Sequence, residues 1–531
     1  MYRESLCHPI IYVRGFAMTG DDINETAADP YCGLNAGSTV FRATAAASKQ
    51  ARKYIFDSTV IRLQNDFGYG NVFQDGLDIA DPGWNTVGFS KKSIVIYRYY
   101  DPASTLLGSG ETPTMEDFGR GLGDLIIRVR DAVCANTANN ISPTNFRCIL
   151  LAHSMGGLVC RTLLQNPELD PNKSRQYVDK VFTYATPHNG IDMGGINVPF
   201  WLSAGDANNF NRDRMAQYLN LQRVYKGAWS GNGRVDWLPE SCFSSRRFFC
   251  MVGTNRADYN VAAGISRTFA GHGSDGLVRI ENASVWGVDD TRADGKLTVS
   301  FPTATAYAYR SHSGFFGIVN SEESYQNLTR FLFGDWRVDI WADIAGVTLP
   351  ASVQAEKDKG RTVSALYQFE ITAAPRGKRW LLTRRIAEED SVACRTLQEL
   401  SERPTYDSDH VYLSTVFLDS AKSLDPNNGF SYFVRLSARV PDFEVDGILW
   451  MKEHYEGGNL FTDLAIIKIK PGNPVEAYFR WQSEATAIPD HPLNLVNATA
   501  NSFDLDIPFE SKALPGIKGT LRLAASTWNG P

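Results

Sequence analysis

The sequence lacks several features that would assign it quickly to a class. It has no run of a single charge sign: 53 Lys and Arg stand against 59 Asp and Glu, for a formal net charge of −6. That leaves no basic surface for nucleic acid and no polybasic anchor for an anionic membrane. No apolar stretch is long enough to cross a bilayer. The opening "MYRESLCHPIIYVRGF" holds only a short apolar run after Glu4, which fits neither a secretory leader nor a membrane span. The eight cysteines form no C-x-x-C pair and no metal-ligand spacing, so neither a metal nor another cofactor is expected. Several of them lie in apolar runs, where a thiol behaves as a small hydrophobe. A reduced, cytoplasmic protein is expected, with export without a cleaved leader left open. Oligomeric state is not legible.

What is present is globular. The chain has 531 residues, 43% of them hydrophobic and 21% charged. That length exceeds one compact core and implies two or three domains. The first two thirds alternate short, continuously apolar runs with amphipathic stretches. The runs are "PIIYV" (9–13), "SIVIY" (93–97), "CILLA" (148–152), "KVFTYA" (180–185) and "RFFCMV" (247–252). Unbroken apolar runs are the mark of parallel strands covered on both faces. "MEDFGRGLGDLIIRVRDAV" (115–133) reads as one of the intervening helices, and 313–335 as a closing helix. The expectation for 1–336 is a doubly wound, mostly parallel sheet with helices on both faces.

Beyond Trp336 the texture changes. In "FSYFVRLSARV", Phe430, Tyr432, Val434, Leu436, Ala438 and Val440 alternate with Ser431, Arg435, Ser437 and Arg439. That is a strand with one wet face. Similar short strands over 365–371, 410–418, 464–470, 475–481, 503–509 and 519–525 are separated by turn signals such as "DPNNG" and "PGNP". Residues 337–531 therefore read as an antiparallel β-sandwich.

The chemistry points to "LLAHSMGGLVCR" (150–161). A serine on a sharp strand-to-helix turn, written G-x-S-x-G, stands clear of the sheet edge as a nucleophile. Here Ala152 replaces the first glycine. The position must be small because strand and helix backbones nearly touch there, and one methyl group fits. The same pentapeptide would also suit a serine that merely caps a helix, so the rest of the machinery decides. A serine hydroxyl needs a base to take its proton and an acid to orient that base. Downstream of Ser154 in the α/β region stand His188, His272 and His312. His188 comes directly after the next strand, too early for the base. His312 in "YAYRSHSG" lies just ahead of the closing segment, where the base belongs. The acid candidates are Asp275 in "GSDGLV", with Asp258 as the serious rival, and Glu281, Asp289 and Asp290 behind. Two backbone N–H groups must face the developing oxyanion. Met155, after the nucleophile, supplies one, and Phe16, after Gly15 in "VRGFAMTG", supplies the other.

In this combination the sequence resembles the lipases and esterases of the α/β-hydrolase superfamily, of bacterial lipase or GPI-inositol-deacylase-like type. "IIYVRGF" resembles their oxyanion strand and loop, with Arg14-Gly15 where His-Gly is usual. "AHSMGG" resembles the elbow, "ATPHNG" a Thr-Pro-His-x-Gly segment, "SDGLV" the aspartate loop and "SHSG" the histidine loop. The resemblance covers about 8–335 and implies Asp275 rather than Asp258 as the acid. It implies an α/β-hydrolase domain over 1–336 and a serine esterase or lipase acting on an ester or lipid substrate. A phospholipase and a non-catalytic binding protein on the same fold are the alternatives. No membrane-spanning segment is expected; peripheral contact with lipid stays open. Two inserts, 20–90 and 190–243, are candidates for a cap or lid. The second carries Phe200, Trp201, Phe210, Tyr218, Tyr225, Trp229 and Trp237; a packed satellite core is the other reading.

Overall fold

The structure, a computed structural model, describes residues 4–15, 20–42, 52–81, 83–84, 88–104, 113–193, 196–197, 209–224, 233–258, 273–291, 298–314, 316–404, 408–423, 429–446, 452–470, 475–484, 490–499 and 501–529. Its internal contacts separate two compact units. One is Arg3–Thr305 with Arg310–Leu328; the other comprises Thr329–Pro531 and Ala306–Tyr309.

A seven-stranded sheet organises the α/β region. Its strands are β1 (Ile10–Val13), β2 (Gly70–Asn71), β3 (Ser93–Ile96), β4 (Cys148–His153), β5 (Val178–Tyr184), β6 (Phe248–Gly253) and β7 (Ala304–Ala308). They lie in the order β7-β6-β5-β4-β1-β3-β2, and every pairing from β6 through β2 is parallel. All residues of β1, β3, β4 and β6 are buried. Both faces are therefore covered, which is why these strands read as unbroken apolar runs. β7 escaped the sequence reading because "ATAYA" is small and weakly patterned. β2 escaped it because two residues carry no pattern at all.

Helix α1 (Gly20–Ala28), α2 (Thr59–Phe67), α3 (Met115–Ala135), α4 (Met155–Gln165), α5 (Arg212–Tyr218) and α6 (Glu322–Phe333) lie along the same region. Thr114 starts α3 through a capping box: its hydroxyl accepts from the Asp117 N–H, and the Asp117 carboxylate accepts from the Thr114 N–H. Leu122, Ile126, Val129 and Val133 then form its buried stripe. α6 is shorter than the closing helix expected over 313–335. Ser321 stops the helix short at its N-terminal end, accepting from the Ser324 N–H through Oγ and from the Tyr325 N–H through its carbonyl. The residues before it form the loop that carries His312. α2 meets α6 through Arg62–Glu322 (2.6 Å) and Tyr325–Asp66 (2.8 Å).

The described parts of both inserts feed the main core. Val72, Ile79, Trp84 and Phe89 from the first, and Phe210, Met215, Tyr218 and Leu221 from the second, join the cluster around β1, β4 and α3. Phe210 and Tyr218 are therefore core side chains and are not available to cover a substrate. Phe200, Trp201, Tyr225 and Trp229 lie outside the described residues.

The C-terminal region is an antiparallel β-sandwich. One sheet runs β10 (His410–Leu418), β8 (Trp336–Thr348), β15 (Gly516–Thr527), β14 (Ser502–Glu510) and the short strand Leu495–Val496. The other includes β9 (Val363–Pro375), β11 (Phe430–Asp446), β12 (Lys452–Lys470) and β13 (Glu476–Trp481) in that order. Ile340, Val411 and Leu523 from the first sheet share one core with Phe369, Leu436 and Ile467 from the second. β8 was not legible as a strand because charges interrupt it. Arg337 is answered by Asp339 at 3.0 Å, and Asp343 by His410 at 2.7 Å and Arg522 at 3.0 Å. Among the described residues no helix is long and apolar enough to cross a membrane.

Within the α/β region the tightest backbone approach among the described glycines lies between β1 and α4. A Cβ on Gly156 would stand 2.6 Å from the Arg14 carbonyl oxygen and still closer to that of Val13. Both obstacles are backbone and cannot swing aside. Gly156→Ala is expected to lower stability by about 1–3 kcal/mol, as overpacking does. Gly70→Ala, where nothing lies within 4 Å of the new methyl group, is the control. Thermal or urea unfolding of the two variants against the parent checks the difference.

Candidate active site

Strand β4 delivers Ser154 to the turn. The Ser154 N–H donates to the Tyr184 carbonyl at 2.9 Å, so the β4–β5 ladder runs up to the serine itself. Its backbone then turns to φ 52°, ψ −128°, and α4 begins at Met155. A non-glycine residue there is strained by roughly 1–3 kcal/mol. Ser154 makes no side-chain cap bond to its helix, so the helix-capping reading does not describe it. The turn has the strand–turn–helix geometry of a nucleophile elbow, on a mostly parallel sheet with the architecture of the α/β-hydrolase fold.

The hydroxyl of Ser154 meets a histidine. His312 Nε2 lies 2.9 Å from Ser154 Oγ, and His312 Nδ1 lies 2.9 Å from Asp275 Oδ2. All three side chains are buried. The second carboxylate oxygen of Asp275 accepts from the N–H groups of Leu277 (3.0 Å) and Val278 (2.8 Å). These bonds fix the carboxylate in its own Asp-Gly turn and leave Oδ2 for the imidazole. The His312 N–H also donates to the Asp275 carbonyl at 3.0 Å. The two loops are thus joined by main chain as well as side chain.

The rival acid is elsewhere. Asp258 is exposed and accepts from Asn255 Nδ2 at 2.5 Å, three residues away. His188 is fully buried, with Nε2 at 3.2 Å from Thr183 Oγ1 and its ring edge-on to Phe248. Burial drives its pKa well below the ordinary histidine value. Its carbonyl accepts from the buried guanidinium of Arg161, which also binds the Val235 and Trp237 carbonyls and Gln165 Oε1. Burial lowers the Arg161 pKa to about 10. Both residues hold loops together. His272 lies outside the described residues.

For the oxyanion, Met155 is the first residue of α4, so its N–H has no acceptor within the helix. Phe16, expected as the second donor, lies outside the described residues. Its neighbour Gly15 is described, and its role is steric. A Cβ there would stand 2.5 Å from Ser154 Cβ and 3.1 Å from the His153 carbonyl oxygen. Arg14 sends its guanidinium to Thr26 Oγ1 on α1. Its carbonyl accepts from the Tyr99 hydroxyl at 2.6 Å.

Sequence reasoning passed over His153. This residue is buried, and its Nε2 lies 2.9 Å from the His312 carbonyl oxygen. Burial, then the nearby His312, push its pKa well below the ordinary value. No sequence signal marked it, because it precedes the nucleophile as an ordinary variable position of the motif.

No family model matches the sequence, and a search of curated proteins finds no match. Among solved structures the chain is similar to Bacillus licheniformis lipase BlEst2 in mature form, at 12% identity and a TM-score of 0.28. That match covers 62% of this chain and 93% of the other. It is also similar to phospholipase PlaB from Legionella pneumophila, at 14% identity and a TM-score of 0.31, covering 85% of this chain and 90% of the other.

Two outcomes follow from this geometry. Asp275→Asn is expected to lower kcat/KM on an ester by about 10⁴-fold, whereas Asp258→Asn leaves it near the parent value; the reverse ranking would move the acid to Asp258. The second concerns acid stability. His153, His188 and His8 all have depressed pKa values in the folded chain, that of His8 falling to about 4 chiefly through burial. Below about pH 6.5 the unfolded chain binds protons that the folded chain refuses. Stability is therefore full above that pH and falls as pH drops toward 4, by about 1.4 kcal/mol per pH unit for each such proton. Urea unfolding of the parent from pH 7 to pH 5 reads that slope, and a flat dependence would contradict the burial of these rings.

Proposed function

We propose that the chain is a serine carboxylic-ester hydrolase. The observation that carries this reading is the unbroken line from Ser154 Oγ through His312 to Asp275, with 2.9 Å at each step. In this reading Ser154 Oγ attacks the ester carbonyl while His312 Nε2 takes its proton. Asp275 Oδ2 keeps the proton of Nδ1 in place and stabilises the imidazolium that forms. The carbonyl oxygen, now negative, is met by the Met155 N–H and, on the sequence expectation, by that of Phe16. His312 then returns its proton to the departing alcohol, which leaves an acyl group on Ser154. Water, activated by the same imidazole, releases the acid and restores the hydroxyl.

Burial of the three residues favours this chemistry over display of a binding surface. A hydrogen-bonded serine that is 3% exposed offers little to a partner protein. In this reading a substrate need bring only its carbonyl carbon to the hydroxyl. The strained backbone of Ser154 points the same way, because such strain persists where the surroundings enforce it and clusters at functional sites.

The test is Ser154→Ala together with a fluorophosphonate probe. The parent is expected to be labelled at Ser154 and to turn over nitrophenyl esters. The variant should stay folded by circular dichroism, lose labelling and fall by on the order of 10⁶ in kcat. A folded Ser154→Ala protein that keeps its turnover removes the serine mechanism. A parent that neither labels nor turns over any ester favours the non-catalytic reading. Esters of increasing acyl length, run beside a phospholipid emulsion, separate an esterase from a lipase or phospholipase.

A further inference from the structure

His153 is one residue from the nucleophile, yet its side chain reaches the base. Its ring centre lies 5.0 Å from that of His312. Its Nε2 is 2.9 Å from the carbonyl oxygen of His312 rather than from a side chain. A carbonyl oxygen only accepts, so the proton of this bond belongs to His153 Nε2. That fixes the tautomer: Nε2 carries hydrogen and Nδ1 is bare. Burial and the adjacent His312 keep the ring neutral, so it adds no second cation beside the imidazolium that forms during the reaction.

The main chain of His312 is therefore held from both sides. Its N–H donates to the Asp275 carbonyl at 3.0 Å, and its carbonyl accepts from His153. The first bond ties the base loop to the acid loop. The second ties it to the last residue of β4, whose next residue is Ser154. The contact between Ser154 Oγ and His312 Nε2 depends on two loops some 158 positions apart in the chain, and a hydroxyl rotor alone would fix that distance poorly.

We propose that His153 is a positioning residue whose Nε2–H holds the His312 carbonyl and so locks the loop of the base onto the strand of the nucleophile. The proposal rests on the esterase reading above, and the experiment separates the failure of one from that of the other. Glutamine and methionine match the reach of the imidazole, but only glutamine can donate. His153→Met is expected to lower kcat by roughly 10–100-fold with KM unchanged, as a misplaced base does. The rate of fluorophosphonate labelling at Ser154 falls in parallel. His153→Gln recovers most of both losses. A merely space-filling role predicts no difference between the two variants.

A folded His153→Met protein with parental kcat, or a His153→Gln protein as slow as the methionine variant, overturns the positioning role and leaves the esterase reading standing. If His153→Met does not fold, the tautomer in the parent decides. Nitrogen-15 NMR of the histidine rings at neutral pH is expected to find the His153 proton on Nε2, and a proton on Nδ1 overturns the proposal. A parent that neither labels nor turns over ester removes the esterase reading, and the positioning role with it.

Discussion

The site depends on how closely the backbone of β4 and α4 can approach the end of β1. Gly15 and Gly156 are the two positions where that approach leaves no room for a side-chain carbon. With both glycines in place, the elbow closes against the Arg14–Gly15 peptide and Ser154 is pressed into a positive φ. The strain is small beside the burial that enforces it, since every residue of β4 and α4 is removed from solvent. Hydrophobic burial in the sheet thus supplies the free energy that holds the Ser154 backbone in an unfavourable conformation.

Asp275 and His312 are brought to Ser154 by loops rather than by regular structure. Asp275 sits in a turn that satisfies one of its own oxygens from two backbone N–H groups. His312 sits between β7 and α6 with its peptide bound at both ends. Each loop is fixed by a few directional bonds, and each bond is buried where water competes poorly. Loops can hold the two side chains in place here because the rigid sheet fixes where they start.

The C-terminal sandwich follows a different logic. Its two sheets share an apolar core, and strands such as β9 and β14 alternate because one face is buried and the other is not; β10 departs from this, with Leu413 to Leu418 all buried. Charges on such a strand find partners on the same strand, as Arg337 does in Asp339, or on neighbouring ones, as Asp343 does in His410 and Arg522. The proposed chemistry uses none of these residues.

Much of this was legible in one dimension. Unbroken apolar runs announced strands buried on both faces, and alternation announced the sandwich, because solvent exposure imposes each pattern directly on the sequence. Small residues around Ser154 announced the elbow, because a steric limit excludes everything else. Chain order and the loop motifs singled out His312 and Asp275. What the sequence could not display were relations between distant segments. The choice of Asp275 over Asp258 became geometric only when one carboxylate lay 2.9 Å from the imidazole and the other was turned to Asn255. β8 was hidden because charges interrupt its pattern, and whether Phe210 and Tyr218 belonged to a lid or to a packed core stayed open until the core enclosed them. His153 is the sharpest case. Its carbonyl partner belongs to a residue far along the chain, and a backbone oxygen leaves no mark on sequence. Local sterics and burial are written residue by residue, whereas a hydrogen bond between remote loops exists only once the sheet has brought them together.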